Sequence, residues 1–162
     1  LAELTACSLG RERVARALPE TRRETIAARL AETSEAVAAL NRYGSFPLGG
    51  LTDLTEPLQR ARVGAPLSGA ELLAVAGCIR CATRLAAYFA EAQEVAPSLH
   101  AIAARLHDHS DLAAEIERCL DDEGQVRRHA SAALTRLYGR QATLEGRARE
   151  RMHQATIPRG RE

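Results

Sequence analysis

Two cysteines three residues apart, in Cys78-Ile79-Arg80-Cys81, are the first residues here whose types and spacing could do chemistry. Such a pair can supply half of a tetrahedral zinc site, or cycle between dithiol and disulfide. Zinc needs a second ligand pair, and no other Cys-x-x-Cys or spaced histidine pair follows at a useful distance. A redox pair is activated at a helix N-terminus, whereas these two fall near the middle of a long apolar stretch. The expected role is that of small buried hydrophobes, with a thiol or metal enzyme as the alternative.

The other polar clusters read the same way. His100, His107 and His109 gather with Asp108 and Asp111 around one helix break. His100 and His107 share a face two turns apart, too far to chelate one ion directly, so a polar loop with a helix cap is expected. "DDEGQVRRHAS" (121–131) resembles a calcium loop only until it is aligned. Setting Gly124 on the invariant glycine puts Cys119 in first place and Ala130 where a bidentate glutamate belongs, which rules calcium out. The stretch is expected to be a connector: a polar turn at 121–124 with Gly124 at positive φ, a short extended piece at 125–127, then Ser131 as an N-cap. No glycine elbow or strand–turn–helix context accompanies any serine or cysteine. All 22 basic residues are arginine, so a phosphate-binding Walker lysine and a Schiff-base lysine are both impossible. No catalytic, cofactor-binding or metal-ligating residue is assigned.

The elements that would position these residues are helices. The hydrophobic share is 46%, but aromatics are 3% and most apolar residues are alanine and leucine. In 162 residues this predicts one all-α domain, an irregular multi-helix bundle with a thin core. A helix is expected from an N-cap at Ser8 to about Leu18, and another from Thr21 to about Asn41. On the second, Ile26, Leu30, Thr33, Val37 and Leu40 form one stripe. "GSFPLGGLT" (44–52) is a loop, followed by a short helix capped by Asp53 or Thr52 and ended by Gly64. Ser68-Gly69-Ala70-Glu71 is a capping box that opens the most apolar helix, about 69–94. There Leu72, Val75, Ile79, Ala82, Leu85, Ala86 and Phe89 fill about half of the helical wheel, which predicts a central position. Helices follow at 97–106, burying Leu99, Ile102 and Leu106, and at 111–120, with Leu112, Ile116 and Cys119 inward. The last runs from about Ser131 to 155, with a thin heptad-like seam of Leu134, Leu137, Gln141, Leu144, Ala148 and Met152. It is expected to pack at its start and project at its end.

Charge divides the chain at the same place. Residues 127–162 hold nine arginines and three acids, net +6, and the remainder is net −5. A helical body, 1–126, is thus distinguished from a long basic helix and tail, 127–162. Arg136, Arg140, Arg147, Arg149 and Arg151 are the candidates for phosphate contact, with a solvated helix face as the bland alternative. The four cysteines, Cys7, Cys78, Cys81 and Cys119, fit a reducing cytoplasm. No apolar run approaches the ~20 residues of a bilayer span, so no membrane partner is expected. Leu1 in place of methionine is read as a sign of residues missing upstream.

"IERCLDDEGQVRRHASAAL" (116–134) resembles a segment of the second-branch bacterial MutS proteins. That family shows Ile-x-x-x-Ile/Leu-Asp-x-x-Gly-x-Val, then Ala-Ser and a long helix. "TSEAVAAL" (33–40), "GGLTDLTEPLQRARVGAPLSGAELL" (49–73) and the opening "LAELTACSLGRE" are similar to family stretches in the same order, so the likeness covers about 1–155. Arg128 and His129 stand where the family usually has Asp-Ser, and Ala132 where it has Pro, which weakens a functional role for the connector's own side chains. The resemblance implies a helical core and the first arm of a lever. A clamp, an ATPase using ATP and Mg, and a C-terminal Smr endonuclease would follow outside these residues. It further implies a homodimer that binds branched DNA and suppresses homologous recombination, or binds ribosomal RNA and splits collided ribosomes. A free-standing helical interaction module is the alternative.

Overall fold

The structure, a computed structural model, describes Thr5 and residues 8–156. Among the described residues seven helices follow one another: α1 Ser8–Ala15, α2 Arg23–Tyr43, α3 Thr55–Arg62, α4 Gly69–Glu91, α5 Pro97–Ala103, α6 Ser110–Cys119 and α7 Ala132–Thr156. The fold is all-α, as its composition predicts. Ser8 is the first residue of α1 rather than its cap, and α1 stops at Ala15, three residues before the expected end. Helix α2 starts two residues late because the Glu20 carboxylate accepts the N–H groups of Thr21 and Arg22 and holds them outside the helix.

Local chemistry explains most of the ends. The Asp53 carboxylate accepts the Thr55 N–H at 2.9 Å and starts α3. Gly64, at φ 83°, sits just past its end and donates to the Ala61 carbonyl. The capping box of α4 is complete: Ser68 Oγ accepts the Glu71 N–H, and the Glu71 carboxylate accepts the Ser68 N–H at 2.7 Å. Ser131 Oγ accepts the Leu134 N–H at 3.2 Å and opens α7.

Helix α4 is central. It packs most extensively on α6 and next on α5, and α2 joins through α5. Arg80 clamps α4 to α6 with two hydrogen bonds to the Glu117 carboxylate, at 3.2 and 2.7 Å. One apolar cluster joins Ala76 to Ala113, Ile116 and Leu120; another gathers Ala39, Ala92 and Ala96. Around the second lie Tyr43, Phe46, Tyr88 and Phe89 with ring centroids 5.2–6.2 Å apart, and Tyr88 Oη reaches the carbonyls of Ala39 and Gly44. Alanine contacts let helix backbones approach closely but bury little area, so the core is thin, as expected.

Several expected core positions lie at the surface. Ile102, Leu112 and Leu30 are 52%, 52% and 62% exposed, and Leu106, Val37 and Leu40 are exposed too. Helices α5 and α6 turn the small residues Ala103 and Ala113 inward instead, and α2 docks through Ala39 and Tyr43. Periodicity identified the apolar faces, but among the described residues nothing covers them. The total accessible surface is 12778 Å², against about 7,900 Å² for a compact monomer of this mass. Helix α4 also corrects an expectation, because by length and composition it is apolar enough to cross a membrane. Its Arg80 and Arg84 bind Glu117 and the Gly49 carbonyl, contacts that belong to a central helix of this bundle.

Candidate functional site

The two thiols of α4 fasten a loop. Cys78 Sγ accepts the Thr52 N–H at 3.3 Å and lies 3.4 Å from the Gly50 carbonyl, while Cys81 Sγ reaches the Pro47 carbonyl at 3.4 Å. Cys81 is the largest fully buried side chain among the described residues. Gly50, at φ 87°, lies so close to Gly77 that a Cβ on it would stand 2.9 Å from the Gly77 carbonyl oxygen. Cys81 is buried as expected and Cys78 is only half-buried, and both act as small residues that seat a loop.

The histidines do not converge. His100 Nδ1 pairs with the Phe89 carbonyl at 3.1 Å, while the rings of His107 and His109 stack 6.5 Å apart at the rim of an open apolar groove between α3, α4 and α6. Between them, the Asp108 carboxylate accepts the hydroxyl and N–H of Ser110, bonds that hold it below the usual carboxylate range. Among the described residues no group of three or more His, Cys, Asp or Glu is placed to hold a metal. Cys7 lies outside them.

The connector is closed by its own hydrogen bonds. Asp121 donates its N–H to the Gln125 carbonyl at 2.9 Å, and its carboxylate accepts the Gln125 N–H at 2.8 Å and the Glu123 N–H at 3.2 Å. The expected extended piece forms a single antiparallel bridge, Leu120 to Val126. Arg127 donates from its backbone to the Cys119 carbonyl and from Nε to the Leu120 carbonyl. Arg118 holds Glu115 and the Ala130 carbonyl together, and the hydrogen-bonded Glu115 carboxylate raises the guanidinium's hold on its proton. Arg128 lies over the Tyr138 ring at 5.1 Å, on the first turns of α7.

Beyond that root α7 packs on no other helix among the described residues. Leu137, Leu144 and Met152 of its seam are 60%, 61% and 71% exposed. At about 100° per residue, Arg136, Arg140, Arg147 and Arg151 fall within an arc of about 60°, and they span about 22 Å along the axis. All four are exposed and carry no ion pair within the described residues. Arg149 differs: it points to the opposite side and pairs with Glu145 at 3.9 Å. Four of the five candidate arginines thus form one cationic face beside the apolar seam.

The sequence names Gly69 and Gly124 for local reasons without revealing their contact, which fixes where α7 starts. Gly69 and Gly124 touch backbone to backbone, and a Cβ on Gly69 would stand 1.9 Å from the Gly124 carbonyl oxygen. A glycine at the first position of a well-capped helix was the available signal. Glu35, which caps α5 from α2, gave none.

No family model matches the chain. Curated relatives do. A protein named Endonuclease MutS2 from Geobacillus sp. (strain WCH70) is 37% identical over 155 residues, covering 94% of this chain and 20% of the relative. Another of that name from Symbiobacterium thermophilum is 41% identical over 152 residues, covering 94% and 19%. The Putative endonuclease MutS2 of Bacillus subtilis (strain 168) is 33% identical over 150 residues, covering 91% and 19%. The chain spans about a fifth of the length of these relatives.

Proposed function

Because the chain belongs to the MutS2 family, we propose that it is a non-catalytic segment of a MutS-like machine, a helical core at 1–126 carrying a lever that starts at 127–162. The observation that carries this reading is α7, which is rooted in a hydrogen-bonded connector and then leaves the body with no helix packed on it among the described residues. The uncovered apolar faces of α2, α5 and α6 add to it, since a part of a larger protein leaves such faces for its neighbours. In this reading the rest of the polypeptide supplies a clamp, an ATPase that uses ATP and Mg, and a C-terminal Smr endonuclease. The whole acts in the cytoplasm as a homodimer, away from membranes. It grips branched DNA to suppress homologous recombination, or ribosomal RNA to split stalled ribosomes.

The face of Arg136, Arg140, Arg147 and Arg151 is the phosphate contact within this segment. Fluorescence anisotropy with a branched DNA and with a ribosomal RNA helix tests it. Four phosphate contacts give a slope of about −3.6 in log K against log salt, and about a 150-fold loss of affinity from 50 to 200 mM salt. Changing all four to glutamine removes most of that slope, and Arg149→Gln leaves most of it. Binding that ignores both salt and the quadruple change refutes the contact. A salt-insensitive association with a protein would favour the free-standing module instead.

A further inference from the structure

The connector does more than join α6 to α7. Each backbone turn between Arg118 and Ser131 is tied to a neighbour. Asp121 closes the turn, Leu120 pairs with Val126, and Arg127 bonds back to Cys119 and Leu120. Arg118 holds the carbonyl of buried Ala130, whose N–H donates to the Arg127 carbonyl. The far side of the loop rests on α4: the Gly124 backbone sits against Gly69 and Ala70, where a Cβ on Gly124 would stand 2.8 Å from the Ala70 nitrogen. Gly124 has φ 76°, a conformation that also favours glycine. Thus α7 is referenced to two helices at once, through covalent continuity to α6 and through the glycine contact to the first turn of α4.

We propose that residues 118–131 form a rigid elbow that fixes the direction of α7 relative to α4, with Asp121, Arg118 and the Gly69–Gly124 contact as its positioning residues. A flexible linker would let α7 swing independently of the body; this elbow makes it turn with α4 and α6. The leverage is large. Over the 25 residues of α7, about 37 Å, a 10° tilt at the root moves the tip about 6 Å. The proposal rests on the lever reading and refines it, but its test needs no nucleic acid. Narrow distances without salt-dependent binding would therefore sink the phosphate interface and spare the elbow.

The test is pulsed dipolar spectroscopy on this chain, with spin labels carried by noncanonical residues at exposed positions 87 on α4 and 153 on α7. The native cysteines stay untouched. A short Gly-Ser insertion after Ala130 supplies the breadth of a free swing. The expected result is one narrow distance distribution for the unmodified elbow, widened by several ångströms by Gly69→Ala and by Asp121→Ala. Leu144→Ala, far from the elbow, leaves the width unchanged. Gly69→Ala favours helix locally, so widening there reports the lost contact rather than lost helix. Circular dichroism verifies the fold of each variant, and where Asp121→Ala has lost helix the width of Gly69→Ala decides. An unmodified distribution as broad as that of the insertion, or variants that leave its width unchanged, overturns the proposal.

Discussion

Helix α5 is only seven residues long, and its N-terminus is satisfied from another helix, which makes Glu35 the most informative side chain to remove. Each orphan donor of that end can be traced. The Ala96 N–H bonds the Ala92 carbonyl, and Pro97 has no N–H to satisfy. The Glu35 carboxylate, from the middle of α2, accepts the Ser98 N–H at 2.8 Å, the Leu99 N–H at 3.2 Å and the Ser98 hydroxyl at 2.7 Å. His100 then makes the first intrahelical bond, to the Ala96 carbonyl. The N-cap position of α5 is Ala96, which has no capping side chain, so Glu35 caps that end from α2 and ties the two helices together. Loss of a cap costs about 0.5–2 kcal/mol, and bonds to a charged acceptor lie at the upper end. Water can reach the freed donors in part, so Glu35→Ala is expected to destabilise by about 2 kcal/mol, and Glu35→Gln, which keeps one acceptor oxygen, by about 1 kcal/mol. At this size the alanine variant should melt about 4–8 °C lower. Thermal and urea unfolding followed by circular dichroism measure both, with exposed Glu24→Ala as a control expected within about 0.5 kcal/mol of wild type. An alanine variant as stable as the control, or no weaker than the glutamine variant, would show that this cross-helix cap does not hold α5.

Two further outcomes follow from the carboxylates and thiols. Glu71, Asp108 and Glu117 are held below their ordinary pKa, by the Ser68 amide, the Ser110 hydroxyl and the Arg80 guanidinium respectively. Groups depressed on folding add stability above their unfolded pKa and lose it as pH falls through the folded value. Melting temperature should thus stay level near neutrality and drop on the acid side of the carboxylate range, with Glu71→Gln flattening part of the drop; no acid dependence removes the argument. Changing Cys78 and Cys81 together to alanine should lower the melting temperature modestly and leave zinc content at zero before and after, by metal analysis of the purified protein. Stoichiometric zinc lost with the thiols would restore the metal reading.

Helix number, helix order and the caps of α3, α4 and α7 were legible because they are local, whereas the cap expected at Ser8 is the first residue of α1 itself. Ser68 and Glu71, Gly64 and Ser131 act on residues within a turn or two of themselves, so a linear reading can find them. The elbow was legible as a turn and not as a joint, because the Gly69–Gly124 contact spans α4 to the connector and neither glycine announces its partner. The arginine face of α7 was half legible. All five arginines were found, but Arg149 separates from the other four only once helix phase and the Glu145 pair are seen.

The errors about burial have one cause and point one way. Leu30, Ile102, Leu112 and Leu137 have the spacing of core residues and stand in solvent. Periodicity shows which face of a helix wants cover; it cannot show whether the cover lies in the same chain. Inside the body, alanine at Ala76, Ala92 and Ala113 buys close approach between α4 and its neighbours while leaving little apolar area buried. A core of that kind defines geometry better than it supplies free energy. The balance of stability then falls on directional ties: the Glu35 cap, the Arg80–Glu117 clamp, and the thiol and glycine contacts that seat two loops on α4. Such ties keep their angles for as long as they hold, which is the property that the proposed lever reading asks of this body.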